Sequence, residues 1–597
     1  MDKNTIIAIV IIFLLVIVFQ YIFIKPQIEQ KAKQATKKVV EEQQKNVTEK
    51  VEEKAQIVIK PKKMENLALP AEGAKKEILT IDTDVYTVKL NTEGAKVISF
   101  KLKKYLDKNG EPVELVEYKD DDVVPFEIHF DRLKNTSITD KTIYFYKKNG
   151  PYSYTFFRDF KDENGNVFRL EKTYEFDENS YMFNLTVRVQ TLDLIKDLYI
   201  NKDNVSYTLA WGSVLGPSSV IRNRYNITTQ GYHEAGKYKK VLKGAAGCSL
   251  KRGESRYIEI SRVLDWVGVT NRYFFIGIVP DRKNYIFAFD QRTPGKYLLG
   301  ISHPYFRGKG FEDDFKIYVG PKDRKLLKTY GHDFESVMSG RVLKPIVIFL
   351  EIMIKFFYRL TKNYGISIIL MTIVIKIILH PLTYKSFQSM KKMSALQPKV
   401  TEIREKYKNN PQQMNKEISA LYKKEKVNPM GGCLPMLLQL PIFYALYALL
   451  SSMIDLRNES FLWVKDLSLP DTVATIKMSI PLLGYKIAGQ GYTDINILPF
   501  IMTATTLLQS KLTSGDQSSQ QGKMMTYLFP LMFFFIFWNM PSGLVLYWTI
   551  QNILTIGQQL FIDYRMKKRR AAQLVLEEKK STGKKHYKSS IKKQKRR

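Results

Sequence analysis

Cysteine is nearly absent: Cys248 and Cys433 are the only two in 597 residues. They fall in segments of different character, which excludes a disulfide framework. The six histidines are scattered and no CxxC or HExxH occurs, so neither a metal site nor any cofactor is expected. No GxxxxGK[ST] is present, which removes the phosphate-binding loop of an ATP-driven machine. Internal repeats are missing too, and with them the usual signature of a secondary transporter. The C-terminal half has long apolar runs with no Asp or Glu deep inside them.

Basic residues are in excess. The formal charge of +34 calls for an acidic environment, namely anionic lipid, ribosome or nucleic acid. In a membrane protein the positive-inside rule already places many lysines and arginines, so no specific nucleic-acid site follows. The length exceeds one ordinary domain.

Residues 6–24 form an apolar run that spans a hydrocarbon core of about 30 Å. It is too long for a cleaved signal's apolar region, so 1–24 reads as a signal anchor. Residues 25–75, rich in Lys, Glu and Gln, read as a flexible tether. From 76 to 335 Tyr and Phe become frequent and apolar residues alternate. Phe183, Leu185, Val187 and Val189 follow the turn Asp177–Ser180, and Tyr174 and Phe176 precede it. A period of two predicts hairpins of half-buried strands, hence a β-sandwich. The same style recurs at Val85–Leu90 and Tyr273–Val279.

Residues 341–363 carry Lys344, Glu351, Lys355 and Arg359 on one stripe, with Ile346, Phe349, Leu350, Met353, Phe356 and Phe357 around it. This predicts an amphipathic helix in the membrane interface, or one packed on the β-domain. Apolar spans follow at 365–383, 430–454, 495–511, 524–540 and 542–562, which with the first makes six. Pro435, Pro441, Pro499, Pro530, Pro541 and Gly543 interrupt them. The fold class is thus a polytopic α-helical membrane protein with six transmembrane helices and an extracytoplasmic β-sandwich domain. Segment 384–428 holds eleven Lys or Arg against four Glu, and 565–597 holds fifteen against two. Both fall on one side, which positive-inside makes cytoplasmic, with both termini there and the β-domain outside. Segment 384–428 reads as a two-helix hairpin broken at Asn409–Asn410. Pro398 opens one helix, and Asn410, Pro411 and Gln413 cap the other. Its Met390, Met393 and Met414 offer soft contacts to apolar clients or simply pack the hairpin. The tail after 563 is expected to be disordered.

Inside the spans, Thr372, Lys376, His380 and Thr383 share one face of the second span. Gln439 lies in the third, and Gln551, Thr555 and Gln558 share a face of the last, which also carries Asn552. A lysine at mid-membrane costs about 2.5–3.5 kcal/mol on insertion scales. With no acidic partner in reach, Lys376 points to a hydrated cavity rather than a buried ion pair. Snorkelling to the interface is the alternative.

The runs KVNPMGGCLPMLLQLPIFYALYALL (426–450), PSGLVLYW (541–548), LQPKVTEIREKY (396–407) and GISIILMTIVIKIILHPLT (365–383) resemble the YidC/Oxa/Alb family of membrane protein insertases. The large outer domain and the extra span resemble the Gram-negative form. The resemblance implies a non-enzymatic chaperone and insertase of the bacterial inner membrane, with a core at 365–562 and a basic tail at 563–597. It implies an outer domain of supersandwich shape, similar to sugar-binding enzymes. It also implies a hydrophilic groove open to the cytoplasm, lined by Thr372, Lys376, Gln439, Phe443, Tyr547 and Trp548, with Thr383, Gln551 and Thr555 beside it. The family commonly has arginine where this chain has Lys376, so the charge stays and the bidentate fork is lost. Partners implied are nascent membrane proteins, the Sec translocon (SecYEG with SecDF), the ribosome through the tail, and anionic lipids. Rival readings are a secondary transporter, a membrane-tethered carbohydrate-active protein, and a serine hydrolase using Ser542 and His380. Helix rise separates that last pair by over about 20 Å.

Overall fold

The computed structural model describes residues 68–594 except 71, 108, 119–121, 136–139, 163, 194–196, 213, 217–227, 243–255, 282–283, 294–295, 339–342, 426, 428–433, 481–482, 488–489 and 515–519. The expected anchor, most of the tether, both cysteines and the NPMGG stretch lie outside the described residues.

The alternating segments become antiparallel strands. In Met182–Thr191, Phe183, Leu185, Val187 and Val189 turn inward while their neighbours turn out, as the period of two requires. This strand pairs with Val167–Glu175 through the turn at Asp177, whose carboxylate accepts from Asn179 N at 2.9 Å. Both belong to a nine-stranded sheet, which runs from Lys237–Leu242 at one edge to Phe145–Gly150 at the other. A five-stranded sheet faces it. Tyr207 OH of Leu198–Trp211 donates to Asp313 of Gly310–Pro321 at 2.6 Å, and the Tyr207 and Phe311 rings stack at 6.0 Å. A four-stranded sheet, Ile78 to Glu114, and a two-stranded one, Val116–Glu117 with Val214–Leu215, complete the domain among the described residues.

Two neighbouring strands depart from the expected pattern, and Trp266–Thr270 is buried throughout. In Phe274–Pro280 every residue but one is buried, so it does not alternate. Its second face is covered by Phe334 from a 3-10 turn, which contacts Phe275 and Trp266. Lys172, on the inward face of Val167–Glu175, is wholly buried and donates to the carbonyls of Ala95 and Phe126. Burial pushes its ammonium down to about 7.

Nine helices follow in the described residues: α1 (Arg324–Thr329), α2 (Lys344–Thr361), α3 (Tyr364–Ala395), α4 (Gln397–Lys406), α5 (Pro411–Lys424), α6 (Leu434–Leu450), α7 (Leu498–Ser514), α8 (Gln520–Phe537) and α9 (Ser542–Gln594). Among the described residues one helix, Tyr364–Tyr384, is long and apolar enough to cross a membrane. Gln439–Leu450 and Thr526–Phe537 are shorter apolar stretches. Pro441 and Pro530 sit inside helices that continue through them, so they do not interrupt the backbone as expected, and α3 likewise continues through Pro381. Within 384–428, α4 opens at Gln397–Pro398 and α5 at Pro411, with the break at residues 407–410, where Asn409–Asn410 fall, and the residues up to Ala395 are the far end of α3. Asn410 caps α5 by accepting from Gln413 N at 3.1 Å, with Pro411 first in the helix. The basic tail is not irregular: α9 runs on to Gln594, because Lys, Arg, Glu and Gln are good helix formers and an existing helix spares them the nucleation cost.

Helix α2 turns its stripe the unexpected way. Glu351 is buried and Lys355 half-buried, while Phe349, Ile352, Phe356 and Leu360 stand exposed in a line. The inward charges have partners. Lys355 Nζ lies 3.1 Å from Glu351, 3.2 Å from Asp323 and 3.2 Å from Asp455, and Arg324 is 3.7 Å from Glu351. Asp323 is the N-cap of α1 at the end of the β-domain, and Asp455 belongs to the turn after α6. Burial opposes the Lys355 charge, but Asp455, Asp323 and Glu351 outweigh it and hold the ammonium well above the ordinary lysine value.

Candidate functional site

The site is built on α3, α6 and α9. Asn363 caps α3 by accepting from Ile366 N at 3.0 Å, which fixes where the helix begins. Helix α9 begins at the PSG sequence. Ser542 N donates to Leu469 O at 2.8 Å and Gly543 N to Leu467 O at 2.9 Å. A Cβ on Gly543 would crowd Leu467 O and Ile368, so glycine permits the close approach of α9 to α3. Ser542 Oγ donates to Asp466 O at 3.1 Å and is wholly buried. It is a docking residue. His380 bonds Gln558, sixteen residues farther along α9 and so about 24 Å from Ser542, which removes the serine hydrolase.

From that start the sequence spacing sets the rest. Trp548, Gln551, Thr555 and Gln558 follow at intervals of three, four and three, one face of α9. Opposite them α3 presents Lys376, whose Nζ donates to Thr555 Oγ1 at 2.6 Å. Thr555 in turn donates to Gln551 O at 2.6 Å. Lys376 is 9% exposed, and among the described residues no carboxylate pairs with it. One turn on, Gln558 Nε2 donates to Thr383 Oγ1 and His380 Nδ1, each at 3.0 Å. Thr372 has no exposure at all, and its hydroxyl donates to Ile368 O in its own helix at 2.6 Å. It packs the helices rather than adding a free polar group.

Helix α6 contributes Gln439, whose Nε2 donates to the buried Tyr547 hydroxyl at 2.7 Å. Phe443 meets Trp548 edge to face at 5.2 Å and Phe537 at 5.6 Å, and Phe533 lies 5.4 Å from Trp548. The site thus has an aromatic wall from α6, α8 and α9 above a polar seam between α3 and α9. On the seam face of α9, among the described residues, the buried atoms Trp548 Nε1, Gln551 Oε1 and Gln558 Oε1 have no hydrogen-bond partner. Buried polar atoms cost free energy unless they are bonded, so this face is prepared for water or for the polar groups of a guest.

Met390 and Met393 lie half-buried at the far end of α3, and Met414 is half-buried on α5. Met390 faces Lys391, Leu512, Gln559 and Asp563. None of the three reaches the seam. Two connections escaped the sequence reading. Asn552 Nδ2 donates to Thr506 Oγ1 at 2.8 Å and Thr505 Oγ1 at 3.2 Å, tying α9 to α7. Lys391 pairs with Asp563 at 2.9 Å. The first was signalled by Asn552 standing off the Gln551 face. The second had no signal, since neither partner lies within a span.

Two family models match the chain: the YidC periplasmic domain over residues 78–339 and the 60Kd inner membrane protein over residues 356–569. A membrane protein insertase YidC of Treponema denticola is 31% identical over 535 residues, covering 83% of this chain and 87% of its own. One of Chloroherpeton thalassium is 31% identical over 600 residues, covering 94% and 96%. A solved structure of an active YidC insertase with its first transmembrane domain resolved aligns with 82% of this chain and 93% of its own, at 17% identity and a TM-score of 0.32, and carries no weight here. The sequence relatives decide the matter: with identity at this level across nearly the whole of both chains, the protein belongs to the YidC family of membrane protein insertases, with a β-rich periplasmic domain and a helical core in the inner membrane.

Proposed function

We propose that the seam between α3 and α9 is the floor of a hydrophilic groove through which nascent membrane proteins enter the bilayer. The carrying observation is the line of unpartnered polar atoms on α9 beside Lys376, a cation with a hydroxyl partner and, among the described residues, no counter-ion. A buried lysine of this kind draws the acidic residues of a client's outgoing segment inward and shortens their path through low dielectric. The client's apolar span then leaves across the aromatic wall of Phe443, Phe533 and Trp548 into lipid. Partition supplies the driving force, about 0.8 kcal/mol per buried methylene. No bond is made or broken, and no cofactor takes part.

The chain has six spans in this reading: residues 6–24, α3, α6, α7, α8 and the first part of α9. Both termini, the segment 384–428 and the tail are cytoplasmic, and the β-domain is periplasmic. The basic loading of 384–428 and 565–597 supports that orientation. The outward apolar line of α2, Phe349 to Leu360, supports its lying in the periplasmic interface. The tail binds the ribosome and anionic lipid through its fifteen basic residues, and the core works alone or with the Sec translocon. A photocrosslinker at Gln439 tests the groove. It should capture a ribosome-bound nascent membrane protein while that protein's apolar segment passes, and release it on completion. Capture equal to that from exposed Ile377 on the outer face of α3 would refute the groove.

A further inference from the structure

Between α6 and α7, after the 3-10 turn Ile454–Leu456 and before a three-stranded sheet within Thr472–Asn496, the chain makes a tight turn. Phe461 and Val464 exchange both backbone hydrogen bonds, each 2.9 Å, and only Leu462 and Trp463 lie between them. Leu462 has φ +53°, the left-handed region that strains a non-glycine residue. The strained backbone does not hide the side chain. Leu462 is 75% exposed and Trp463 40%, whereas Val464 and Leu467 behind them are buried. An apolar tip is being held out.

The tip is also fastened. Trp463 Nε1 donates to Asp471 Oδ2 at 3.2 Å, and the same oxygen accepts from Ile497 N at 3.0 Å and Leu498 N at 2.6 Å, where α7 begins. Its height is fixed from the other side. A Cβ on Gly365, in the first turn of α3, would collide with the ring of Phe461 at the base of the turn. The tip therefore stands level with the point where the membrane-crossing helix starts. Tyr358 and Tyr364, stacked at 3.9 Å, stand at the same helix end, and Lys465 is exposed just past the tip.

An exposed leucine forgoes the stabilisation that burial would return. Tryptophan favours the level where headgroups meet acyl chains, and a lysine beside it favours the phosphate layer. We propose that the Leu462–Trp463 turn is an interfacial anchor, immersed in the phospholipid headgroup–acyl boundary, which fixes the depth of the helical core at the periplasmic end of α3. The proposal rests on α3 crossing the bilayer, as in the function proposed above.

The test uses the full chain with Cys248→Ser and Cys433→Ser, in phosphatidylethanolamine–phosphatidylglycerol vesicles. A nitroxide is placed in turn at Leu462→Cys, at Ile377→Cys on the exposed face of α3, and at Tyr305→Cys on the exposed surface of the β-domain. Collisions with lipid-soluble oxygen are compared with those of a water-soluble nickel chelate. Oxygen should dominate at 377, the chelate at 305, and position 462 should fall on the oxygen side at shallow depth. A reading at 462 equal to that at 305, or shielding from both reagents, overturns the anchor while 377 upholds the span. An aqueous reading at 377 overturns both. Because the label is itself apolar, native Trp463 gives a second reading. Bromine-labelled lipid should quench the parent more than Trp463→Phe, and equal quenching overturns the anchor.

Discussion

Lys355 is the residue whose loss the structure prices most directly. Its ammonium lies within 3.2 Å of Glu351, Asp323 and Asp455, so one cation serves three carboxylates from three separate segments. Lys355→Met keeps the stem and removes the charge. Breaking a buried pair costs about 3–5 kcal/mol, and the 22% exposure of this side chain places the loss near the low end, about 3 kcal/mol. The deficit must depend on pH. Burial already pushes the Asp455 carboxyl up, with Lys355 pulling the other way. Without the lysine, repulsion among the three carboxylates raises them further. A carboxyl raised in the folded state contributes stability below its unfolded value, and that contribution is lost as pH rises through the folded value. The defect should therefore be full at pH 8 and smaller at pH 5. Thermal unfolding of the full chain in detergent, followed at both pH values, measures it. Adding Glu351→Gln should recover part of the loss, so the double variant should be less destabilised than the two single losses together. A loss under about 0.5 kcal/mol, equal at both pH values, would show that the cluster behaves as a solvated surface pair and refute the reasoning.

Three further outcomes follow from the site and the charge distribution. For the groove cation, Lys376→Arg should insert an acidic-tailed client nearly as well as the parent, Lys376→Ala should fail with it, and Lys376→Glu should be worst. The three are scored by protease protection in vesicles, and equal insertion by all three would mean that the lysine only snorkels. Cysteines at exposed Thr401 and Lys148 should label from opposite faces of the membrane, and labelling from one face would sink the six-span arrangement. Removing residues 565–597 should weaken ribosome binding, and raising salt should weaken it in the intact chain; affinity unmoved by either would contradict an electrostatic tail.

What the sequence disclosed was local periodicity. The alternation of Phe183 to Val189, the cap at Asn410 and the shared face of Gln551, Thr555 and Gln558 each depend on residues within one or two turns of each other. What it hid depends on distant partners. Nothing near Glu351 and Lys355 indicates that Asp323 and Asp455 will meet them, so a stripe that looked solvent-facing turned inward. Lys172 occupies a strand position whose burial is set by the Ala95 and Phe126 carbonyls, residues of other segments. The family resemblance placed Thr372 beside the groove, on the same face as Lys376, and its hydroxyl bonds the carbonyl four residues back in its own helix. Pro441 and Pro530 were weighed as breaks because only the lost hydrogen bond is visible in a sequence, whereas α6 and α8 continue through them.

The unbroken course of α9 turns the tail into a measuring rod. Its 53 residues extend about 80 Å at 1.5 Å per residue, of which a bilayer core takes about 30 Å. Whatever grips the far end is held at a set reach from the Thr555 hydroxyl and at a set rotation about the helix axis. Length and phase can then be varied separately. Two alanines inserted after Arg570 add only about 3 Å but swing everything beyond by about 200°, whereas seven add about 10 Å and nearly restore the phase. A flexible tether would be indifferent to both. A rod that delivers an emerging chain to the groove at one bearing should tolerate the seven and resent the two.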